Sequence, residues 1–223
     1  MIREGYVERL IAQFSQALAH ILGLTKRKRY KAALAALAQA FQELGISFES
    51  VSELSESWLI ATLTLGESAA AGREKCGYAI ALLREAGAIH AAQDQLDESY
   101  EYYLKALHLL LTLLRRDSGA ALGNYEPIVE ELVAELRTCT LVLPVETSAA
   151  LMDCYEQNGA YGKAEDVLFE MIEASPGNME VVGMGIAFYE RLKHQSDEVL
   201  ESGNLPRDEV EAGLAELQVY QSS

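Results

Sequence analysis

The sequence predicts an all-α protein, and its composition and its hydrophobic patterning both indicate this class. Half of the 223 residues are hydrophobic, and only 4 prolines and 16 glycines are present. Apolar residues recur at steps of three and four through most of the chain, which is the period of an amphipathic helix. No segment shows the sustained alternation of a half-buried strand. We therefore expect eight to ten helices and no sheet.

The N-terminal part of the chain is expected to form three helices. Residues 2–21 have an apolar face and predict the first, and a basic turn separates it from a second over residues 32–44. Gly45 stands where a C-terminal cap is expected. Serines in residues 47–57 offer N-caps for a short third helix around Trp58.

Two long helices are predicted for the centre of the chain, over residues 73–93 and 96–116. Residues 66–72 are expected to form the linker before them, and residues 117–123 break the periodicity after them. Pro127 suits the opening of the next helix, because the first helical N–H needs no intrahelical partner. Pro144 is expected to end that helix and to open another.

The C-terminal part is expected to hold a helix pair over residues 145–158 and 161–174, followed by helices over 178–202 and from Pro206 to Tyr220. Gly159 provides the turn inside the pair, and Pro176 stops it. We interpret residues 1–223 as a single elongated domain that ends in capping helices over residues 178–220.

An internal repeat is the most specific pattern in the chain. The residues that carry the best copy resemble the tetratricopeptide pattern in type and spacing, namely Tyr155, Gly159, Tyr161, Ala164, Leu168, Met171 and Pro176. Weaker copies align on Ala33 and Ser99. The degenerate repeats therefore lie near residues 14–47, 80–113 and 145–178.

The opening Met-Ile-Arg-Glu and the block at residues 161–169 resemble a bacterial family of uncharacterised tetratricopeptide-like proteins. The resemblance implies irregular antiparallel helix pairs that form a right-handed superhelix. It implies no activity, substrate or functional residue.

Charge is distributed unevenly along this acidic chain, whose formal net charge is −16. Residues 1–50 hold seven Lys and Arg against four Asp and Glu, whereas residues 151–223 hold four against fifteen. Phosphate backbones would be repelled by most of such a surface, so we expect no nucleic-acid partner.

The three cysteines, Cys76, Cys139 and Cys154, show neither disulfide nor zinc spacing and are expected to be reduced and buried. Neither a signal segment nor a membrane span is predicted, so the expected location is cytoplasmic.

The sequence also lacks the motifs that would indicate chemistry. Residues 66–72 do not meet the phosphate-loop pattern, because five residues separate the glycines and Arg73 replaces the required lysine. The four histidines are dispersed, and no nucleophile motif is present. We expect no catalytic residues, no metal site and no cofactor.

Two sets of residues are predicted to bind a partner. The first is a candidate anion-binding turn, for which a solvated turn is the alternative; its residues are Lys26, Arg27, Lys28, Arg29 and Lys31. The second is a candidate groove on the first helices of the repeats, with Arg84, Glu146, Asp153, Glu156 and Gln157.

These observations favour a non-enzymatic protein–protein interaction module or scaffold whose partner is a protein or a peptide. A small-molecule-binding or regulatory helical protein is the alternative, and a cryptic enzyme comes third. The first helix has an apolar face broad enough either to pack back on the array or to form a homodimer contact.

Overall fold

The prediction of an all-α protein is confirmed. The computed structural model describes residues 4–116, 126–140 and 142–221, and these residues contain no strand and eleven α-helices, one more than the upper limit of the expected eight to ten. In chain order the helices are α1 (Glu4–Lys26), α2 (Tyr30–Glu43), α3 (Glu56–Thr64), α4 (Ala69–Ala91), α5 (Leu96–Arg116), α6 (Glu126–Cys139), α7 (Val145–Gln157), α8 (Tyr161–Ala174), α9 (Met179–Leu192), α10 (Asp197–Ser202) and α11 (Arg207–Gln221).

Helix α1 continues to Lys26, five residues beyond the predicted end at residue 21, because Leu24 still belongs to its buried face. Two further predicted boundaries are wrong because serine N-caps were missed. Helix α4 begins four residues earlier than predicted, since the Ser68 hydroxyl accepts a hydrogen bond from the N–H of Ala71 at 3.2 Å. The helix predicted over residues 178–202 is two helices, because Ser196 caps α10 and its hydroxyl accepts from the N–H of Val199. The predicted break at residues 117–123 lies outside the described residues.

Two compact units make up the chain, Met1–Leu141 and Val142–Ser223. The interpretation as one elongated domain and the right-handed superhelix both stay predictions. In the first unit, α4 and α5 form the most extensive helix contact, with α1, α2 and α3 packed on α4 and with α3 and α6 packed on α5. Helix α5 is buried on most of its circumference; its buried residues are Ser99, Tyr103, Lys105, Ala106, Leu107, Leu109, Leu110, Leu111, Leu113 and Leu114.

The second unit is built on α8 and α9. Helix α8 packs against α7 and α9, and α9 also packs against α11. Phe188 and Tyr189 are fully buried, and the Tyr189 hydroxyl donates to Oε1 of Glu165 at 2.6 Å. The start of α8 is tied to the end of α10, because the N–H of Gly162 donates to the Gly203 carbonyl at 2.9 Å.

All three cysteines are free. Cys76 and Cys154 are buried as predicted, and burial raises the pKa of each thiol to about 11. The expectation of burial is wrong for Cys139, which is only half-buried near the C-terminal end of α6.

Candidate partner-binding surface

The five predicted anion-binding residues lie together where α1 meets α2: Lys26 ends α1, residues 27–29 form a tight connection, and Lys31 lies in the first turn of α2. Lys28 adopts a left-handed backbone conformation with φ of 57°. Its N–H donates to the Thr25 carbonyl at 2.8 Å, and the N–H of Arg29 donates to the Leu24 carbonyl at 2.9 Å. These bonds close the C-terminal end of α1 in the manner of a left-handed helix cap. We call Lys26, Arg27, Lys28, Arg29 and Lys31 the basic turn.

The cations of the basic turn form no salt bridge with the described part of the chain, although the charge of Lys26 is felt at the Glu85 carboxyl group. All five side chains are exposed, and none forms a salt bridge with a residue that the structure describes. Several cations elsewhere are paired: Lys105 Nζ lies 2.9 Å from Glu56 Oε1, and Arg191 Nε lies 2.6 Å from Glu156 Oε1. The basic turn is therefore a concentrated positive surface on an acidic chain.

A partly buried hydrogen bond fixes the base of the basic turn. The Thr25 hydroxyl, one residue before the turn, donates to Oε1 of Glu85 on α4 at 2.6 Å. Glu85 is 8% exposed, and burial raises the pKa of its carboxyl group above the ordinary value. The end of α1 is thus attached to the central helix of its unit, so the cations project from a supported backbone.

The N-terminus of α2 adds a second favourable feature for negative charge. Arg29 occupies the N-cap position and makes no side-chain cap bond, and the first turn contains no acidic residue. Backbone N–H groups at a helix N-terminus carry partial positive charge. They reinforce the field of the basic turn and do not define a site on their own.

A surface groove runs from α2 to the segment that follows it. One wall carries the exposed or half-exposed side chains Ala35, Ala38, Gln39 and Gln42, and the other is formed by residues 45–49. The cavity has a volume of about 980 Å³. We call this cavity the α2 groove, and its wall begins one helical turn beyond Lys31.

Stacked rings support the far wall of the α2 groove. Phe48 lies between Phe41 of α2 and Tyr102 of α5, with ring centroids 5.6 and 5.3 Å apart. Tyr102 also stacks on His90 of α4 at 5.3 Å, and His90 Nδ1 lies 3.0 Å from Gln95 Oε1. Aromatic pairs at these distances contribute about 0.5–1.5 kcal/mol each. The wall is therefore connected through side chains to both central helices.

Charge changes sign from one end of this surface to the other. The basic turn lies at the N-terminal end of α2, whereas Glu43 ends the helix and Glu49 lines the groove beyond it. Both carboxylates are exposed, and a hydrogen bond from the Ser47 hydroxyl lowers the pKa of Glu49. Lys31 and Gln42 are 11 residues apart, or about 17 Å along a helix axis.

Arg84, which the sequence placed in a partner groove, is already paired inside the first unit. Its Nε and Nη2 donate to Glu135 at 2.7–2.9 Å, and its Nη1 donates to Glu131. Glu131 and Glu135 belong to α6, so the bonds join α4 to α6. The Arg84 guanidinium is therefore already held by ion pairs that connect these two helices.

The other four predicted groove residues lie on α7 in the second unit. Glu146, Asp153 and Gln157 are exposed. Glu156 accepts two hydrogen bonds from Arg191 of α9, at 2.6 and 2.7 Å, and its side chain is 15% exposed. Partner binding by these α7 residues stays a prediction. The Glu156 carboxylate already takes part in an ion pair between α7 and α9.

The α2 groove was missed at the sequence level, although a signal for it exists. Ala35, Ala38, Gln39 and Gln42 follow the spacing i, i+3, i+4 and i+7, which places them on one face of a helix. Small and amide side chains on such a face do not raise hydropathy, so a search for apolar stripes passes over them.

Two further features bear on the chemistry of the chain. Among the residues that the structure describes, no group of three or more His, Cys, Asp and Glu side chains is placed to hold a metal ion. None of the described helices has both the length and the apolar character needed to cross a membrane.

These observations define an all-helical protein whose most distinctive described surface is a positive turn beside a groove. The chain belongs to DUF6483, a family of unknown function whose model matches residues 1–222. No curated protein and no solved structure matches the chain.

Proposed function

We propose that the chain is a non-enzymatic protein–protein interaction module that binds an acidic segment of a partner protein through the basic turn. The observation that carries this proposal is the set of five exposed cations without a salt bridge to any described residue. The chain has 34 Asp and Glu against 18 Lys and Arg, so acidic side chains were abundant enough to neutralise this turn. An acidic partner supplies the missing negative charge.

The strength of such binding follows from the exposure of the cations. Exposed ion pairs contribute about 0.2–1 kcal/mol each. Five of them support an interaction that forms rapidly under electrostatic steering and weakens as salt is added. The proposed partner is therefore held transiently unless neighbouring surfaces add contacts.

We further propose that α1–α2, α4–α5 and α7–α8 are degenerate tetratricopeptide-like pairs. The repeat anchors Ala33, Ser99 and Ala164 lie on the second helix of each pair and are fully buried. A small residue at this position allows close approach of paired helices. Helical repeat proteins of this kind commonly use their surfaces for binding, which supports an interaction role.

The experiment measures binding of a fluorescein-labelled octaglutamate peptide by fluorescence anisotropy at about 20 and 150 mM salt. We expect the intact chain to bind and the variant with Arg27→Glu and Arg29→Glu to bind at least about tenfold more weakly. The matched control replaces Arg9 and Arg115 with Glu, because both are exposed cations outside the turn. It changes the net charge by the same amount.

Equal weakening by both double variants would show that the peptide senses only the net charge of the chain, and the proposal would fail. Failure of the intact chain to bind at the lower salt concentration would also overturn it. Circular dichroism of each variant establishes that the helices are retained.

A further inference from the structure

We infer that the partner segment is a helix that lies along the α2 groove, with acidic residues over the basic turn and basic residues at the opposite end. This inference rests on the proposed function and specifies the class of ligand that the same surface recognises. The α2 groove would hold one amphipathic helix of about three turns, because the distance from Lys31 to Gln42 is about 17 Å.

The face of α2 beside the groove has the pattern of a helix-packing surface. Its residues at i, i+3, i+4 and i+7 are Ala35, Ala38, Gln39 and Gln42. The opposite face buries Ala33, Leu37, Ala40 and Phe41 in the first unit. Helix α2 therefore presents two packing faces, of which only one is covered by the described residues. Alanines on the open face allow another helix axis to approach to about 8–10 Å.

Amide groups and the groove floor complete this surface. Gln39 and Gln42 each carry donors and an acceptor that match polar side chains of a helix, and Gln39 Nε2 donates to Glu43 at 3.3 Å within α2. Ile46 is buried beneath the groove, and Phe48 is half-buried in its wall. An apolar side chain of the partner helix would cover the exposed part of Phe48.

Charge complementarity selects the polarity of the occupant. The basic turn attracts carboxylates, while Glu43 and Glu49 at the other end attract Lys or Arg. Both ends of the surface therefore attract a ligand that is acidic at one end and basic at the other. A ligand that is acidic throughout is repelled at the end that carries Glu43 and Glu49. A polarised helix binds more tightly than a more acidic one, which is the opposite of what the basic turn alone would produce.

The test compares three labelled 16-residue peptides by fluorescence anisotropy. The polarised peptide has three Glu at its first turn, three Lys at its last turn, and Ala, Gln and one Leu between them. The acidic peptide has Glu in place of the three Lys, and the broken peptide is the polarised one with two central prolines. We expect the polarised peptide to bind at least about fivefold more tightly than either of the others.

Two variants locate the binding. Ala35→Trp fills the groove and should weaken binding of the polarised peptide by about tenfold or more. Its control is Ala61→Trp, which places the same ring on an exposed position of α3. The double variant Glu43→Lys and Glu49→Lys should reverse the preference and favour the acidic peptide over the polarised one.

The outcomes separate this inference from the proposed function. If the acidic peptide binds as well as the polarised one, or if Ala35→Trp has no effect, the groove has no role and the inference is overturned, while binding at the basic turn still stands. If no peptide binds and octaglutamate also fails, the proposed function fails with it.

Discussion

The ring of Tyr103 on α5 lies directly against the backbone of Gly87 on α4. A Cβ atom at Gly87 would be 2.6 Å from Cδ1 and 2.7 Å from Cε1 of that ring. Both residues are buried, and the two helices form the most extensive contact in their unit. This pair of residues therefore sets how closely the two central helices approach.

We expect Gly87→Ala to lower the free energy of unfolding by about 1–3 kcal/mol, because the added methyl group overlaps the Tyr103 ring and forces the helices apart. Urea unfolding followed by circular dichroism measures the change. The control is Gly77→Ala on the same helix, where nothing lies within 4 Å of the added Cβ. This substitution should stabilise by about 0.5–1 kcal/mol through helix propensity. Equal effects at both positions would contradict the close contact.

Ala164→Leu should destabilise the second unit by about 1–3 kcal/mol, since Ala164 is fully buried on α8 and a larger side chain overfills the space. Thermal unfolding measures this loss. Ala174→Leu on the same helix is the control, because Ala174 is exposed. An unchanged melting temperature for Ala164→Leu would show that this repeat anchor is misassigned.

Burial of Glu85 should make stability depend on pH. Burial and the charge of Glu135 raise the pKa of its carboxyl group, whereas the hydrogen bond from Thr25 and the charges of Arg84 and Lys26 act in the opposite direction. Below the ordinary carboxyl pKa of about 4.3, both folded and unfolded chains hold the proton. Above it the unfolded chain ionises first, so the stability associated with the neutral carboxyl is lost as pH rises through the folded pKa.

Glu85→Gln removes this titration and keeps the shape of the side chain. We expect the variant to gain stability relative to the intact chain as the pH rises from about 4 to 7. Urea titrations at several pH values measure the difference. A difference that stays constant or shrinks with rising pH would show that the charged form is the favoured one in the fold.

Native thiols should react in two classes. Cys139 is half-buried, whereas Cys76 and Cys154 are buried and have a pKa of about 11, so little thiolate forms at pH 8. Titration with a disulfide reagent, mapped by mass spectrometry, should label Cys139 first and the other two only after denaturation. Rapid native labelling of all three would contradict the burial of the two slow thiols.

The exposed face of α1 supports the homodimer as a prediction. Ile11 and Leu22 are 42% and 37% exposed, and they lie on the same helix as the start of the basic turn. If copies of the chain associate through this face, Ile11→Lys and Leu22→Lys together should convert a dimer into a monomer in sedimentation velocity. A monomer for the unaltered chain at about 20 and 150 mM salt removes the prediction.

The bounds of a helix could be predicted from the sequence where a regular apolar period stops at residues that typically end helices. Helix α5 has the predicted bounds, because its apolar residues repeat regularly from Leu96 and arginines end it. The start of α4 was missed, since Ala69 and Ala70 are exposed and have no apolar periodicity. The split of residues 178–202 was hidden for a related reason, as the N-capping Ser196 lies in a polar stretch.

Prediction of the candidate surface was only partial. The basic turn was evident because its five cations are adjacent in the sequence. The pairing of Arg84 with Glu131 and Glu135 was not, because 47 and 51 residues separate the partners and only the fold brings them together. The α2 groove could not be predicted because one of its two walls is formed by residues 45–49. The position of that wall depends on the stacking of Phe48, which only the fold establishes.

Because α5 is packed between other helices, its amide hydrogens should be among the last in its unit to exchange with solvent. Its amide hydrogens are covered by three neighbouring helices, so solvent reaches most of them only when α3, α4 and α6 separate. Short helices such as α10, with 6 residues, can fray by themselves. Amide exchange along α5 would therefore report the complete unfolding of its unit, and the first turns to take up deuterium would lie at the ends of the short peripheral helices.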